Sequence, residues 1–266
     1  MKIAVMLSLN DVAAVNILEK LVDNFGFQQE TSTVYRKQGI RVFCIDGSML
    51  TAEDEVAQLD ADLILVASKH VSESGRPCLL AHSTGNWGAS AEYGGKPHSL
   101  SMTSAYAIHG ILHTALDSVQ SMGLDYMEVG MEATHHGPYS DKPLIFVELG
   151  SSPQEWKNNK MAEAVAQTIH DFCFKQPKTS PEPAAGFGGG HYVRDILKPV
   201  FENRYAVGHV ASKHHFPLSK EMIFQAFSRT SEKPRTALID WDGLKSDHRS
   251  QLVGYLAEMG FELVKV

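Results

Sequence analysis

Glu132-Ala-Thr-His135-His136-Gly137-Pro138 sets two adjacent imidazoles and a carboxylate in one turn. A purely structural Gly-Pro turn needs none of these three side chains. Together they can bind a metal ion, move protons or grip a phosphate. Glu132, His135 and His136 are therefore the expected catalytic group. Other histidines recur at the ends of apolar runs: His82 after Cys78–Ala81, His191 after Gly188-Gly189-Gly190, and His209 after Tyr205–Gly208. Ligand sites in open α/β sheets lie beyond the carboxyl ends of strands, so these positions can converge on one site. A catalytic zinc needs three protein ligands and an open position. The candidate ligands are thus His82, Glu132, His135, His136, His191 and His209.

The elements that must position them alternate. Lys2–Leu9 reads as a buried strand, followed by a helix capped by Asn10 and running to Phe25 with Val12, Val15, Leu18 and Val22 inward. Val34–Tyr35 and Ile40–Ile45 form a hairpin, and Leu63–Ala67 is the unbroken apolar run of a strand covered on both faces. Residues 72–100 are loop-rich, with a short strand at Cys78–His82, and Ser104–Met122 is helical. Glu128 onward and Leu144–Leu149 are strands flanking the histidine turn. Ser152, Pro153 and Glu155 make a capping box for a helix to about Phe174. A polar linker, 176–183, precedes a last series: strand Tyr205–Val207, helix Ser219–Phe227, strand Thr236–Ile239, helix Asp247–Met259 and strand Phe261–Val264. The pattern predicts a single α/β domain over residues 1–266, with a central mixed, mostly parallel sheet flanked by helices and a loop-rich segment at 68–103.

Composition narrows the class. A net charge of −7 argues against DNA and any broad nucleic-acid footprint, although 24 Lys and Arg allow a local basic rim. Lys69, Arg76, Lys96 and Arg194 lie in or beside the histidine-bearing loops. Cys44, Cys78 and Cys173 are dispersed, which argues against a disulfide framework and fits a cytoplasmic protein. The opening apolar run is too short for a signal sequence, and no run reaches membrane-spanning length. His109 and His113 have helical metal-pair spacing, but Gly110 stands where the zinc-protease pattern wants Glu. His214 and His215 stay unassigned. No P-loop, Rossmann fingerprint or nucleophile elbow is present.

Eight phrases then occur in order: Ser68–Arg76, His82-Ser-Thr-Gly-Asn86, Tyr93–Leu100, Glu132–Pro138, Glu148-Leu-Gly-Ser-Ser, Glu155-Trp-Lys, Gly186–Tyr192 and Gly208-His209. In these the chain resembles the archaeal- and plant-type D-aminoacyl-tRNA deacylases, closely over about residues 63 to 215. The resemblance implies hydrolysis of the ester between a D-amino acid and the 3′ ribose of tRNA. It also implies two zinc ions per chain and a fold similar to purine nucleoside phosphorylases and peptidyl-tRNA hydrolase. Substrate contacts are then expected at Lys69, His70, Arg76, Asn86, Lys96, Gly188, Gly189, Tyr192 and Arg194. The partner would be the 3′ CCA end of D-aminoacyl-tRNA, bound by a monomer away from any membrane. Two alternatives stay open: a metal-dependent amidohydrolase or peptidase, and a non-enzymatic tRNA-binding protein.

Overall fold

The computed structural model describes residues 1–175 and 180–266. The first half of the chain forms β1 (Ile3–Ser8), α1 (Val12–Asp23), β2 (Gln28–Thr31), β3 (Val34–Lys37), β4 (Ile40–Ile45), α2 (Glu53–Gln58), β5 (Leu63–Lys69), β6 (Cys78–Ser83), β7 (Gly85–Asn86), β8 (Ser99–Leu100), α3 (Ala105–Ser121) and β9 (Glu128–Met131). The second half forms β10 (Leu144–Gly150), α4 (Pro153–Trp156), α5 (Asn159–Lys175), β11 (Glu182–Phe187), α6 (Arg194–Phe201), β12 (Tyr205–Ala211), α7 (Lys220–Ser228), β13 (Thr236–Ile239), α8 (Ser246–Met259) and β14 (Glu262–Lys265).

The runs with no polar alternation go to the middle of a sheet. β1 and β5 pair in parallel, and every residue of each but Lys69 is buried, because helices cover both faces. They belong to an eight-stranded mixed sheet of order β2-β3-β4-β1-β5-β10-β6-β9. α1, α3 and α5 pack on one another beside it, with Ile17, Leu21, Ile108, Ile111, Val165 and Ile169 in one continuous core. The other face is covered around α2 by Met49, Val56 and Phe146. This agrees with the fold class read from the sequence.

A second sheet does not follow from the sequence pattern. β12-β11-β13-β14 is a separate, all-parallel sheet with its own core of Phe187, Ile223, Phe227 and Leu252. Periodicity identifies strands but not which edge each one joins. For the same reason β9 and β10, consecutive in the chain, are not neighbours; β6 lies between them and β9 is an edge.

Three local expectations are corrected. Asp11, not Asn10, caps α1: its carboxylate accepts the N–H groups of Ala13 and Ala14. The buried face of α1 is accordingly Ala13, Ala14, Ile17, Leu18 and Leu21, with Val12 exposed. The capping box at Ser152 and Glu155 forms, but its helix ends after one turn; Asn158 then caps α5 by accepting from Lys160 and Met161. Asn competes well for such a position because its side chain satisfies free helix N–H groups. The hairpin of β3 and β4 gains β2 as an outer strand. Residues 176–179 of the expected linker lie outside the described residues, and Glu182 and Pro183 already belong to β11.

Candidate active site

The histidine turn lies where the two sheets meet. Leaving edge strand β9, the Ala133 N–H donates to the His191 carbonyl and the Thr134 N–H to the Val210 carbonyl in β12, each at 2.8 Å. His135 forms an isolated parallel bridge with Thr84, just past β6. Four chain segments are thereby tied together by backbone alone. His82, near the end of β6, stacks on His135 at 4.3 Å and on Phe146 of β10 at 5.3 Å. Glu148, inside β10, pairs with Ser68 in β5 and Leu80 in β6, and its carboxylate accepts the Ser68 hydroxyl at 2.7 Å.

The backbone fixes the tautomers of three imidazoles. Nδ1 of His82 faces the Ser83 carbonyl at 3.1 Å, Nδ1 of His135 faces Ala133 at 2.8 Å, and Nδ1 of His136 faces Gly137 at 2.6 Å. A carbonyl only accepts, so each Nδ1 carries the hydrogen and each neutral ring keeps its lone pair on Nε2. This is the orientation in which metal-bound histidines are held by their surroundings. The ligand atoms of His82, His135 and His136 lie within 4.8 Å of one another, as do those of Glu132, His135 and His191, and of His70, Glu132 and Glu148.

Two observations show that these donors suit a cation. Both carboxylate oxygens of fully buried Glu132, and Nε2 of His82, have no hydrogen-bond partner. His191 Nε2 lies 2.6 Å from Glu132 Oε1 and His70 Nδ1 3.3 Å from Oε2, yet neither is aligned as a hydrogen bond. Atoms crowded together without facing each other are what a shared central ion produces. A wholly nitrogen and oxygen donor set fits zinc.

The charges divide accordingly. Burial works against ionising Glu132, but His191 and His70 override it and hold its carboxyl well below the usual range. Burial likewise opposes ionised Glu148, which His70 and His82 bring down to about 2. Burial disfavours protonated His70, but Glu132 and Glu148 push it up to about 12. His82 is also raised against its burial, mainly by Glu148 at 3.7 Å. Two buried carboxylates thus favour positive charge at this place, whether proton or metal. Burial keeps His135 well below its ordinary value and brings His136 to about 4, so both are neutral.

His135, His136, His191 and Glu148 open onto a cleft of about 1100 Å³. Its far wall comes from the carboxyl ends of parallel strands: Ser8, Asn10 and Asp11 after β1, Gly47 and Ser48 after β4, and Lys69 and His70 at the end of β5. Of the expected substrate contacts, Lys69, His70 and Asn86 line this cleft. Arg76, Tyr192 and Arg194 line a separate side pocket of about 330 Å³, with Tyr192 and His70 joined at 2.9 Å between the two. Lys96 lies over the Tyr139 ring at 3.8 Å, and Arg194 is paired with Glu128 at 3.1 Å. Gly188 and Gly189, at φ +106° and +75°, turn the chain against Asp240 so that His191 comes back to the cluster. His209 is corrected as a ligand. It lies inside β12 rather than at a strand end, and both its ring nitrogens are engaged, with Thr134 Oγ1 at 3.1 Å and the Ser101 carbonyl at 3.0 Å.

Sequence reasoning missed Glu148 as a site residue, the joining of His70 to the carboxylates, and His215, which lines the cleft beside Trp87. A carboxylate inside the apolar run Leu144–Leu149 was the available signal for the first, since a buried charge needs partners.

A cleft floored by clustered imidazoles and buried carboxylates is the equipment of a hydrolytic enzyme, and the chain belongs to the D-aminoacyl-tRNA deacylase family. The model of that family matches residues 57–264. The D-aminoacyl-tRNA deacylases of Thermococcus kodakarensis and Pyrococcus furiosus are each 35% identical to it, over 273 and 274 residues, with 98% of both chains covered. That of Picrophilus torridus is 29% identical over 263 residues. A crystal structure of a conserved protein of unknown function superposes with a TM-score of 0.86 at 27% identity, covering 99% of this chain and 94% of its own.

Proposed function

We propose that this chain hydrolyses the ester joining a D-amino acid to the 3′ ribose of tRNA, and that it does so around zinc held by the histidine–carboxylate cluster. Family membership supports the reaction. The single observation that carries the metal is the set of three imidazoles with Nδ1 held by backbone carbonyls and Nε2 free, beside a Glu132 carboxylate that makes no aligned hydrogen bond. His82, His135 and His136 would form one ligand group and Glu132, His135 and His191 an alternative one; His135, with one free nitrogen, would serve one of them at a time. A divalent ion bound there would acidify water and polarise the ester carbonyl.

The remaining steps belong to the chain's own groups. An aminoacyl ester is already activated, so no covalent nucleophile is required. Glu132, buried behind His191, would take up at Oε1 the proton of the attacking water as His191 relays it. His191, with its side chain 45% exposed and 2.6 Å from that oxygen, is placed to return a proton to the departing 3′ oxygen. Glu148 and His70 hold these groups in position by a buried ion pair at 3.4 Å. Lys69, in the cleft wall, is the cation placed to meet a terminal phosphate. We read residues 1–266 as one catalytic domain that acts as a cytoplasmic monomer. Among the described residues no helix is long and apolar enough to cross a membrane.

The test is release of amino acid from D-tyrosyl-tRNA and L-tyrosyl-tRNA, beside His135→Ala. Release from the D substrate alone, abolished in the variant, is expected. Turnover of small amides with neither tRNA cleaved would favour the amidohydrolase alternative. Binding without turnover, unchanged by His135→Ala, would favour a binding protein.

A further inference from the structure

The reaction cleft has few cations. Among the described residues lining it, Lys69 is the one Lys or Arg, against Asp11, Glu92 and Glu148. Neutralised phosphates are therefore a poor means of fixing the last nucleotides of an RNA in this cleft. An unpaired 3′ end also offers the faces of its bases, which can be held without charge.

One lip of the cleft presents an aromatic face. Tyr93 lines the cleft and is 69% exposed. A single exposed ring signifies little by itself, but this one stands on a rigid base. Its carbonyl accepts the Gly137 N–H at 2.9 Å, one residue past His136. Gly94, at φ +78°, packs so tightly that a Cβ there would lie 1.7 Å from the Leu50 carbonyl oxygen. A Cβ on Gly137 would lie 2.3 Å from the Gly95 nitrogen. Glu53 Oε1 accepts the Gly95 N–H at 2.8 Å. The turn that carries the ring is thus welded to the histidine turn, and the ring itself is left open. Val71, also in the lining, is 66% exposed, so apolar surface is not confined to Tyr93.

We propose that Tyr93 is a stacking platform for an unpaired base at the 3′ end of the RNA substrate, which sets the ester above the histidine–carboxylate cluster. The identity of the RNA rests on the deacylase reading; the stacking does not require turnover. Because the ring is attached through backbone to the residue after His136, a base resting on it is registered directly against the reacting groups. Stacking is indifferent to the sign of the surrounding charge and to the base, which suits a cleft lined by a single Lys.

The test is equilibrium binding of uncharged tRNA, intact or with its unpaired 3′ nucleotides removed, to the wild-type protein, Tyr93→Ala and Tyr93→Phe. Tyr93→Ala is expected to weaken binding of intact tRNA about tenfold, the order of one lost base–aromatic stack. Tyr93→Phe should restore it, and trimmed tRNA should bind all three proteins alike. Equal binding of intact tRNA by the wild type and Tyr93→Ala would overturn the proposal. So would an equal loss for intact and trimmed tRNA, or a Phe variant as weak as the Ala variant. Failure of the deacylase reading would appear separately, as absent turnover with this binding pattern intact.

Discussion

Two histidine pairs in this molecule look alike by distance and differ in the groups that surround them. His135 and His136 have ring centres 4.4 Å apart; His109 and His113, one turn apart on α3, are at 4.3 Å. Around the first pair stand His82, Glu132, Glu148, His70 and His191. The second pair has a backbone partner, the Val200 carbonyl at 3.2 Å from His113 Nε2, and belongs to none of the metal-capable groups of the described residues. Burial and the neighbouring His113 push His109 down to about 4, with no carboxylate among the causes. Imidazoles packed together are therefore not in themselves a site. Buried carboxylates that favour a cation, and backbone carbonyls that fix which nitrogen is free, make one.

The largest effect should come from removing that carboxylate. Glu132→Gln should lower the deacylation rate about 10²- to 10⁴-fold, the usual span for a lost proton-transfer group, and should also weaken metal retention. Single-turnover rates and metal content after dialysis check both. Glu148→Gln acts one layer further out and should cost about 10- to 100-fold in metal affinity or activity. A Glu148→Gln rate equal to wild type would remove the buried ion pair from the account.

The second pair should show itself in stability rather than turnover. The folded value of His109 lies below the ~6.5 of an unfolded histidine, so between them the unfolded chain binds the extra proton. Its contribution is fully present above about pH 6.5 and is lost as pH falls towards 4. His109→Gln should flatten the acid side of the stability curve by on the order of 2 kcal/mol at pH 4.5, read from urea midpoints. An unchanged acid slope would contradict the burial argument.

The smallest effect concerns charge. Lys69→Ala should reduce the salt slope of tRNA binding by about one, whereas Lys96→Ala should leave it nearly unchanged. Equal effects would mean that RNA contacts the surface around Tyr139 as well.

Much of this was readable in advance. Glu132, His135 and His136 were recognisable because they are close in sequence, and His82 and His191 because each follows a recognisable strand or glycine turn. Glu148 was not named as a site residue, and His70 was named as a substrate contact rather than as the partner of the two carboxylates. Their partnership depends on β10 lying between β5 and β6, a pairing across roughly eighty residues that periodicity does not encode. His209 misled because Gly208 suggested a strand end, while β12 runs on to Ala211 and satisfies both nitrogens. Of the basic residues, Arg194 is paired with Glu128 and Lys96 lies over the Tyr139 ring, and neither is among the described residues lining the cleft.

The most direct test of the central claim is the rate of D-tyrosyl-tRNA deacylation by chelated protein whose metal content has been verified as nil, before and after zinc is restored. Loss of activity on chelation and its return with zinc is the predicted result. An undiminished rate in the metal-free protein would contradict the metal centre and leave the histidines and Glu132 as acid–base groups alone.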